Sequence, residues 1–293
     1  MRTGERASFR DRMFAGLQHV LPQHLLSRVI HWLARRSAGP IHRAAIRVFI
    51  KLFGVDMAAA AQADASAYPT FNAFFTRALK PGVRPLAGPD GTTISPVDGR
   101  ISQLGRIHAG QLYQAKGHQY QLAELLGDVG AGTGFADGRF ATIYLAPHNY
   151  HRIHMPLDGC LRAMHFRPGK LFSVNAATAR TVPGLFARNE RVACLFDGPR
   201  GPFAMVLVGA LFVGSIETVW AGEVTPGGGR KPQSWHYPAD GPGCIRLARG
   251  AEMGRFNMGS TVILVETGNG PGWLAQLQPG TALRRGQALS EAQ

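Results

Sequence analysis

The chain is poor in three things, and each shortage removes a class of protein. Cysteine is scarce. Cys160, Cys194 and Cys244 are odd in number, far apart in sequence and form no CxxC pair. They offer neither a disulfide framework nor a thiolate zinc site, and read as reduced, small buried hydrophobes of a cytosolic protein. Acidic residues are few: 18 Asp+Glu face 32 Lys+Arg, a formal net charge of +14. The surface should therefore draw anions, whether nucleic acid, acidic lipid or a phosphorylated substrate. Long apolar runs are missing too. The longest, Phe203 to Ile216, has 14 residues, too few to cross a bilayer as a helix, and reads as buried strand. The first residues are charged and no apolar stretch leads to a small-residue cleavage site, so no signal peptide is expected.

The rest of the composition is ordinary. Hydrophobic residues at 45% and charged residues at 17% can fill the core of one large domain or two small ones. The positive charge is unevenly placed. Residues 1–54 carry ten Arg/Lys against Glu5 and Asp11, a surplus of +8. No nucleic-acid-binding signature accompanies it, so an anionic surface fits better than nucleic acid.

The same N-terminal region has helical periodicity. Leu17, Leu21, Leu25, Leu26, Val29, Ile30 and Leu33 recur at helical spacing, with Trp32 beside them. A second segment, Ile41 to Phe53, places Arg43, Arg47 and Lys51 four residues apart, among Ile46, Val48, Phe49, Ile50, Leu52 and Phe53. A basic stripe opposite an apolar face suits an interfacial helix. A helical hairpin packed on the rest of the chain, its basic face solvated, is the alternative.

After Tyr68, Gly and Pro punctuate short β-rich runs: Thr92–Ser95, Gly99–Ile107, Phe140–Leu145, Phe203–Trp220 and Thr261–Glu266. The expected class is α+β: a mainly antiparallel β domain over 67–293, preceded by an amphipathic helical region over 1–66. Thr225 to Pro238, with three consecutive glycines and no apolar periodicity, reads as a mobile loop.

Three places carry chemistry. PHNYHRIHMP (147–156) sets His148, His151 and His154 three apart. Helical backbone would put them on one face, as for a zinc site, whereas an extended run would scatter them. There is no HExxH and no obvious carboxylate ligand nearby. Pro96-Val97-Asp98-Gly99 offers a carboxylate on a turn. Gly259-Ser260-Thr261 directly precedes a strand-like run. GxSxG is absent, so Ser260 is a poor hydrolase nucleophile. A Gly-Ser bond does suit self-cleavage, because glycine leaves its carbonyl open and tolerates strained backbone. An Asp, a His and a Ser would equally serve a serine hydrolase.

Long motifs in a fixed order resolve this. FNAFFTRALKPGVRPL (71–86), SPVDGR (95–100), YLAPHNYHRIHMP (144–156), PGKLFSVN (168–175), VGALFVGSIET (208–218) and GAEMGRFNMGSTVI (250–263) resemble the phosphatidylserine decarboxylase proenzymes in their membrane-associated bacterial form. The resemblance implies a processing triad of Asp98, His154 and Ser260, with cleavage between Gly259 and Ser260. It implies a β chain, 1–259, an α chain, 260–293, and decarboxylation served by His151. Its cofactor would be a pyruvoyl group made from Ser260, with no PLP and no metal. Such a ketone takes up the electrons left when an amino acid loses CO2. The implied partners are phosphatidylserine and anionic membrane lipid, the two chains as a heterodimer, and further αβ units in a homo-oligomer. No nucleic acid is implied, and the location is peripheral, on the cytoplasmic face of the cell membrane. Two departures stand out: Asn149 where related enzymes often carry Asp, and Met258 in place of the common Leu, a swap of similar volume. The competing functions are a zinc- or serine-dependent hydrolase using His148, His151 and His154, and a non-catalytic peripheral membrane scaffold.

Overall fold

The computed structural model describes residues 8–115, 118–127, 134–212, 215–225 and 231–292. Three helices come first: α1 (Phe9–Val20), α2 (Gln23–Ala34) and α3 (Pro40–Phe53). Ser8 caps α1 in a capping box with Asp11. Pro22 then divides the Leu17–Leu33 periodicity into two helices. α3 starts on Pro40 and stops at Gly54, left-handed at φ 64°. The remaining elements are α4 (Phe71–Phe75), β1 (Gly99–Arg106), β2 (Gln111–Ala115), β3 (His118–Gln121), α5 (Leu122–Leu126), β4 (Arg139–Tyr144), β5 (Arg152–His154), β6 (Gly159–Arg167), α6 (Ala176–Ala179), α7 (Leu185–Arg188), β7 (Arg191–Gly198), β8 (Gly201–Val208), β9 (Ile216–Thr218), β10 (Gly222–Glu223), β11 (Gln233–His236), β12 (Arg246–Leu247), β13 (Glu252–Phe256), β14 (Thr261–Glu266) and β15 (Ala282–Leu283). Mixed helix and antiparallel sheet, with strands dominating after residue 99, is the class the sequence implied.

The large sheet runs β11-β6-β7-β8-β14-β4-β1-β15, with β12 also on β6; a small sheet runs β10-β9-β13-β5. β14 lies at the centre of the large sheet between β8 and β4, and every residue of it is buried. Two neighbouring crossovers join the sheets. The chain leaves β4 for β5, and it leaves β13 for β14. Because β4 pairs with β14 and β5 with β13, residues 145–151 and 257–260 are forced side by side. This juxtaposition builds the site.

Three expectations need correction. The stretch read as a mobile loop contains β11, which pairs with β6 from Gln233–Phe166 to His236–Ala163; residues 226–230 of it lie outside those described. The Phe203–Trp220 run is two strands in different sheets, β8 and β9. Thr92–Ser95 forms no strand and contributes only a bridge between Ile94 and Ala288.

The N-terminal helices are built inside out. Their polar side chains face the protein. Gln18 Oε1 accepts from the Ser173 amide (2.7 Å), Gln23 Oε1 from the Leu171 amide (2.7 Å), and Ser27 Oγ from the Phe212 amide (3.2 Å). All three side chains are buried, while Phe9, Met13, Leu17 and Val20 of α1 and Leu25, Val29, Trp32 and Leu33 of α2 are exposed. Helix α3 has three faces. His42, Ile46, Phe49 and Ile50 pack inward, Ile41, Val48 and Leu52 are exposed, and Arg43, Arg47 and Lys51 form a third stripe. At about 100° per residue the three lie roughly a third of a turn apart. The basic stripe thus flanks the exposed apolar one rather than opposing it. No described helix is long and apolar enough to cross a membrane.

Candidate active site

Ser260 sits where β13 crosses into β14. Its carbonyl accepts from the Leu145 amide (2.8 Å), extending the β4–β14 ladder by one step. Its side chain is buried, and its Oγ has no hydrogen-bond partner among the described residues. The two residues before it are held in left-handed backbone, Met258 at φ 95° and Gly259 at φ 26°. Such a conformation costs about 1–2 kcal/mol for a residue bearing a Cβ. Asn257 anchors the segment: its Nδ2 donates to Ser215 Oγ (2.9 Å) and its Oδ1 accepts from Asn72 (3.1 Å).

His151 packs directly on this junction. A Cβ added to Gly259 would lie 2.5 Å from His151 Nε2, so the imidazole occupies the space that only glycine leaves free. Phe75 packs against the ring at a centroid distance of 4.0 Å and also borders the Gly259 position, its Cζ 3.5 Å from the added Cβ. His151 is fully buried, and neither ring nitrogen meets the geometry of a hydrogen bond among the described residues, the Asn149 backbone being a near neighbour. Burial, then the nearby Arg77 charge, push its pKa down to about 3. A neutral imidazole therefore faces the Gly259–Ser260 bond.

His154 lies three residues on, and is tied differently. Its Nδ1 pairs with the Gly250 carbonyl (2.9 Å) and its Nε2 with the Tyr150 hydroxyl (3.0 Å). Burial and the Arg285 guanidinium lower its pKa to about 4. The expected Asp98–His154 pairing is not direct. Asp98 accepts from Arg84 Nε (3.1 Å) and Nη2 (2.7 Å) and from the Arg285 amide (2.8 Å). Arg285 makes the link, with Nη2 donating to the Gly250 carbonyl (2.9 Å) and lying 3.3 Å from His154 Nδ1. A carboxylate already gripped by a guanidinium is better placed to fix that arginine than to pull a proton from the imidazole.

His148 is exposed, and no group of three metal-binding side chains occurs among the described residues. Asn149 turns away from His151: its Oδ1 caps the Ala146 amide (2.7 Å). The structure thus gathers His151, Gly259 and Ser260 at one junction, with His154 and Asp98 on an adjoining Arg285-centred network. Sequence reasoning missed Phe75, Tyr150, Arg84, Arg285 and Asn257. It also missed a thiol pair away from the site, Cys160 and Cys244, whose Sγ atoms are 3.6 Å apart.

At this junction a left-handed Met258-Gly259 pair meets Ser260 and a packed imidazole, and known proteins similar to the chain indicate its family. The family profile described as phosphatidylserine decarboxylase matches residues 71–291, and a second, described as PSD, matches 13–54. The chain belongs to the phosphatidylserine decarboxylase family. A phosphatidylserine decarboxylase proenzyme of Shewanella pealeana is 52% identical over 283 residues, covering 96% of this chain and 99% of that one. Proteins of the same name from Shewanella woodyi and Shewanella baltica are 54% and 56% identical over 256 residues, 87% of this chain and 89% and 88% of theirs.

Proposed function

We propose that the chain is a proenzyme that cleaves itself between Gly259 and Ser260 and then converts phosphatidylserine to phosphatidylethanolamine and CO2 at a membrane surface. The carrying observation is the junction itself: a buried, unpartnered Ser260 Oγ follows two left-handed residues, with an imidazole against the glycine. Such a hydroxyl has no competing hydrogen bond to break before attack, and the strained backbone has few conformations other than the reactive one. The printed names of the relatives, which include the word proenzyme, agree with this.

Cleavage proceeds as follows. A histidine takes the Ser260 hydroxyl proton, and Oγ attacks the Gly259 carbonyl. The C–N bond breaks to leave an ester with a free Ser260 amine. β-Elimination then takes the Cα proton of Ser260, releases the Gly259 carboxylate and leaves dehydroalanine at the new N-terminus. Tautomerisation and hydrolysis expel ammonia, leaving a pyruvoyl group. The residues present fit that product, because position 260 is enclosed and faced by neutral imidazole. Once formed, the ketone supplies the electron sink for decarboxylation. The chain's own residues enclose the substrate, exclude water and return a proton to the carbon that lost CO2.

His154, oriented by Asp98 through Arg285, is assigned as the base for cleavage, and His151 as the group that reprotonates substrate. A second assignment is favoured by one observation: in the intact chain it is His151 Nε2 that meets Gly259. On that assignment His151 serves both steps, and the Asp98–Arg285–His154 network positions the crossover.

Membrane attachment rests on the inverted helices. A polar underside held by hydrogen bonds and an apolar outer face form a surface that water does not favour and a headgroup boundary does. Residues 1–66 form the membrane-association region and 67–293 the catalytic one; attachment is peripheral, on the cytoplasmic face, and the cleaved chains stay together as an αβ unit that assembles further. The test is intact mass: parent protein should give a β chain and an α chain, residues 260–293, of about 3.5 kDa, with the α chain blocked to Edman chemistry and reduced by borohydride. Ser260→Ala should remain one chain of 31.6 kDa; normal cleavage of that variant ends the proposal.

A further inference from the structure

Arg77 is a buried cation without a counter-ion. It is 3% exposed. Its Nη2 donates to the carbonyls of His148 (3.1 Å) and Asn149 (3.4 Å), while Nε and Nη1 have no partner among the described residues. Among the described residues no carboxylate forms an ion pair with it, and its cation–π contact is the Phe74 ring, 5.5 Å from the guanidinium carbon. A guanidinium stripped of water and left with two unmet donors is strongly disfavoured unless something negative joins it. Arg84 pairs with Asp98 and Arg152 with Glu252, while Arg285, whose guanidinium has no carboxylate on it among the described residues either, donates to the Arg84 and Gly250 carbonyls; Arg77 has two donors unmet.

The location narrows the choice of anion. Arg77 follows α4, whose Phe75 stacks on His151, and it grips the two carbonyls that precede Tyr150 and His151. Its charge is the largest influence on His151 after burial. His151 in turn abuts Gly259. Unmet buried polar atoms gather here: both nitrogens of His151, Ser260 Oγ and Thr261 Oγ1 join those of Arg77.

Resting on the function proposed above, we infer that Arg77 is the oxyanion-binding residue of the cleaved site, receiving a carboxylate or phosphodiester beside His151. Two sources supply that chemistry. One is the substrate, whose carboxylate and phosphodiester both lie within a few bonds of the amine that must reach residue 260. The other is the Gly259 carboxylate released by cleavage. A planar fork of donors suits either oxyanion.

The experiment uses the processed enzyme with Arg77→Gln and Arg77→Lys. Arg77→Lys, which keeps the charge, should cleave to completion by intact mass, since the anion is absent until cleavage is over; loss of cleavage in both variants overturns the inference by showing that Arg77 only holds the His148–Asn149 carbonyls. With substrate as the source, KM for phosphatidylserine in mixed micelles rises about ten- to a hundredfold in Arg77→Gln, with a smaller change in kcat. Binding of soluble glycerophosphoserine to borohydride-reduced enzyme, read by calorimetry, weakens in parallel, and Arg77→Lys recovers part of it. With Gly259 as the source, KM is unchanged and Arg77→Gln lowers the melting temperature of the cleaved form but not of the uncleaved Ser260→Ala form. Unchanged KM, binding and melting, or an equal loss of melting temperature in cleaved and uncleaved forms, overturns the inference. Failure of the parent to cleave strikes the proposed function instead.

Discussion

Gly259→Ala tests the junction most directly, because the structure supplies both terms of its effect. The residue holds φ 26°, and the new methyl would sit 2.5 Å from His151 Nε2 and 2.9 Å from its Cδ2. Left-handed backbone costs an alanine about 1–2 kcal/mol. Overpacking a tight interior adds about 1–3 kcal/mol. His151 has little room to retreat, being fully buried with Phe75 packed on its ring. The segment must therefore leave its reactive geometry, and the population able to react falls by about 30- to 5,000-fold, at 1.36 kcal/mol per decade. Pulse-labelled protein sampled over time on a gel gives the rate of appearance of the two chains. In a Ser260→Ala background, where nothing cleaves, Gly259→Ala should lower the melting temperature, and adding His151→Gly should recover the part due to collision. Cleavage of Gly259→Ala at the parental rate would refute the reasoning.

Exchanging the histidines separates their roles. Under the primary assignment His154→Ala stays uncleaved, while His151→Ala cleaves but releases CO2 at about 1% of the parental rate or less; loss of cleavage in His151→Ala with normal cleavage in His154→Ala selects the second assignment. Deleting residues 1–54, or changing Arg43, Arg47 and Lys51 to Glu, should move the protein from anionic vesicles into the soluble fraction, and high salt should do so only in part. Unchanged vesicle binding by the deletion would make the helices purely structural. Acid should destabilise the fold through its buried imidazoles: with pKa values of about 3 for His151 and about 4 for His154, the unfolded chain binds more protons below about pH 6.5, so stability falls from there downward. Glu190, raised by burial to about 7, acts in the opposite sense, so the comparison is between parent and His151→Gln, whose melting temperature should fall less steeply with acid; parallel curves would show that His151 does not carry the effect.

Much of the fold was legible because it rests on local signals. The helical periodicity of 17–33 and the short β-rich runs at 99–107, 140–145 and 261–266 all became the expected elements, although Pro22 divides the first into two helices. What was not legible depends on pairing over long distances. β6 and β7, the backbone of the large sheet, have mixed patterns, because their burial comes from neighbours distant in sequence. Gln233–His236 became a strand for the same reason: only the edge of β6 beside it makes pairing favourable. Helical periodicity in 17–33 was correctly read, yet it could not show which face looks inward. Gln18, Gln23 and Ser27 decide that, by bonding to backbone amides at 171, 173 and 212 that no local pattern announces.

The same limit explains the histidines. Spacing of three puts residues on one face of a helix, whereas in extended chain an odd separation turns them to opposite sides. The sequence of 147–156 permits either. Pairing of Arg152–His154 with Glu252–Arg255 of β13 fixes the extended form at its end, and the separation follows: His151 turns to Gly259 and Phe75, His154 to Tyr150, Gly250 and Arg285. Two imidazoles three residues apart thus enter different electrostatic surroundings, one with both nitrogens unmet and the other with both engaged. The proposed division of two steps between these histidines rests on that divergence, which arises from a strand register set a hundred residues further along the chain.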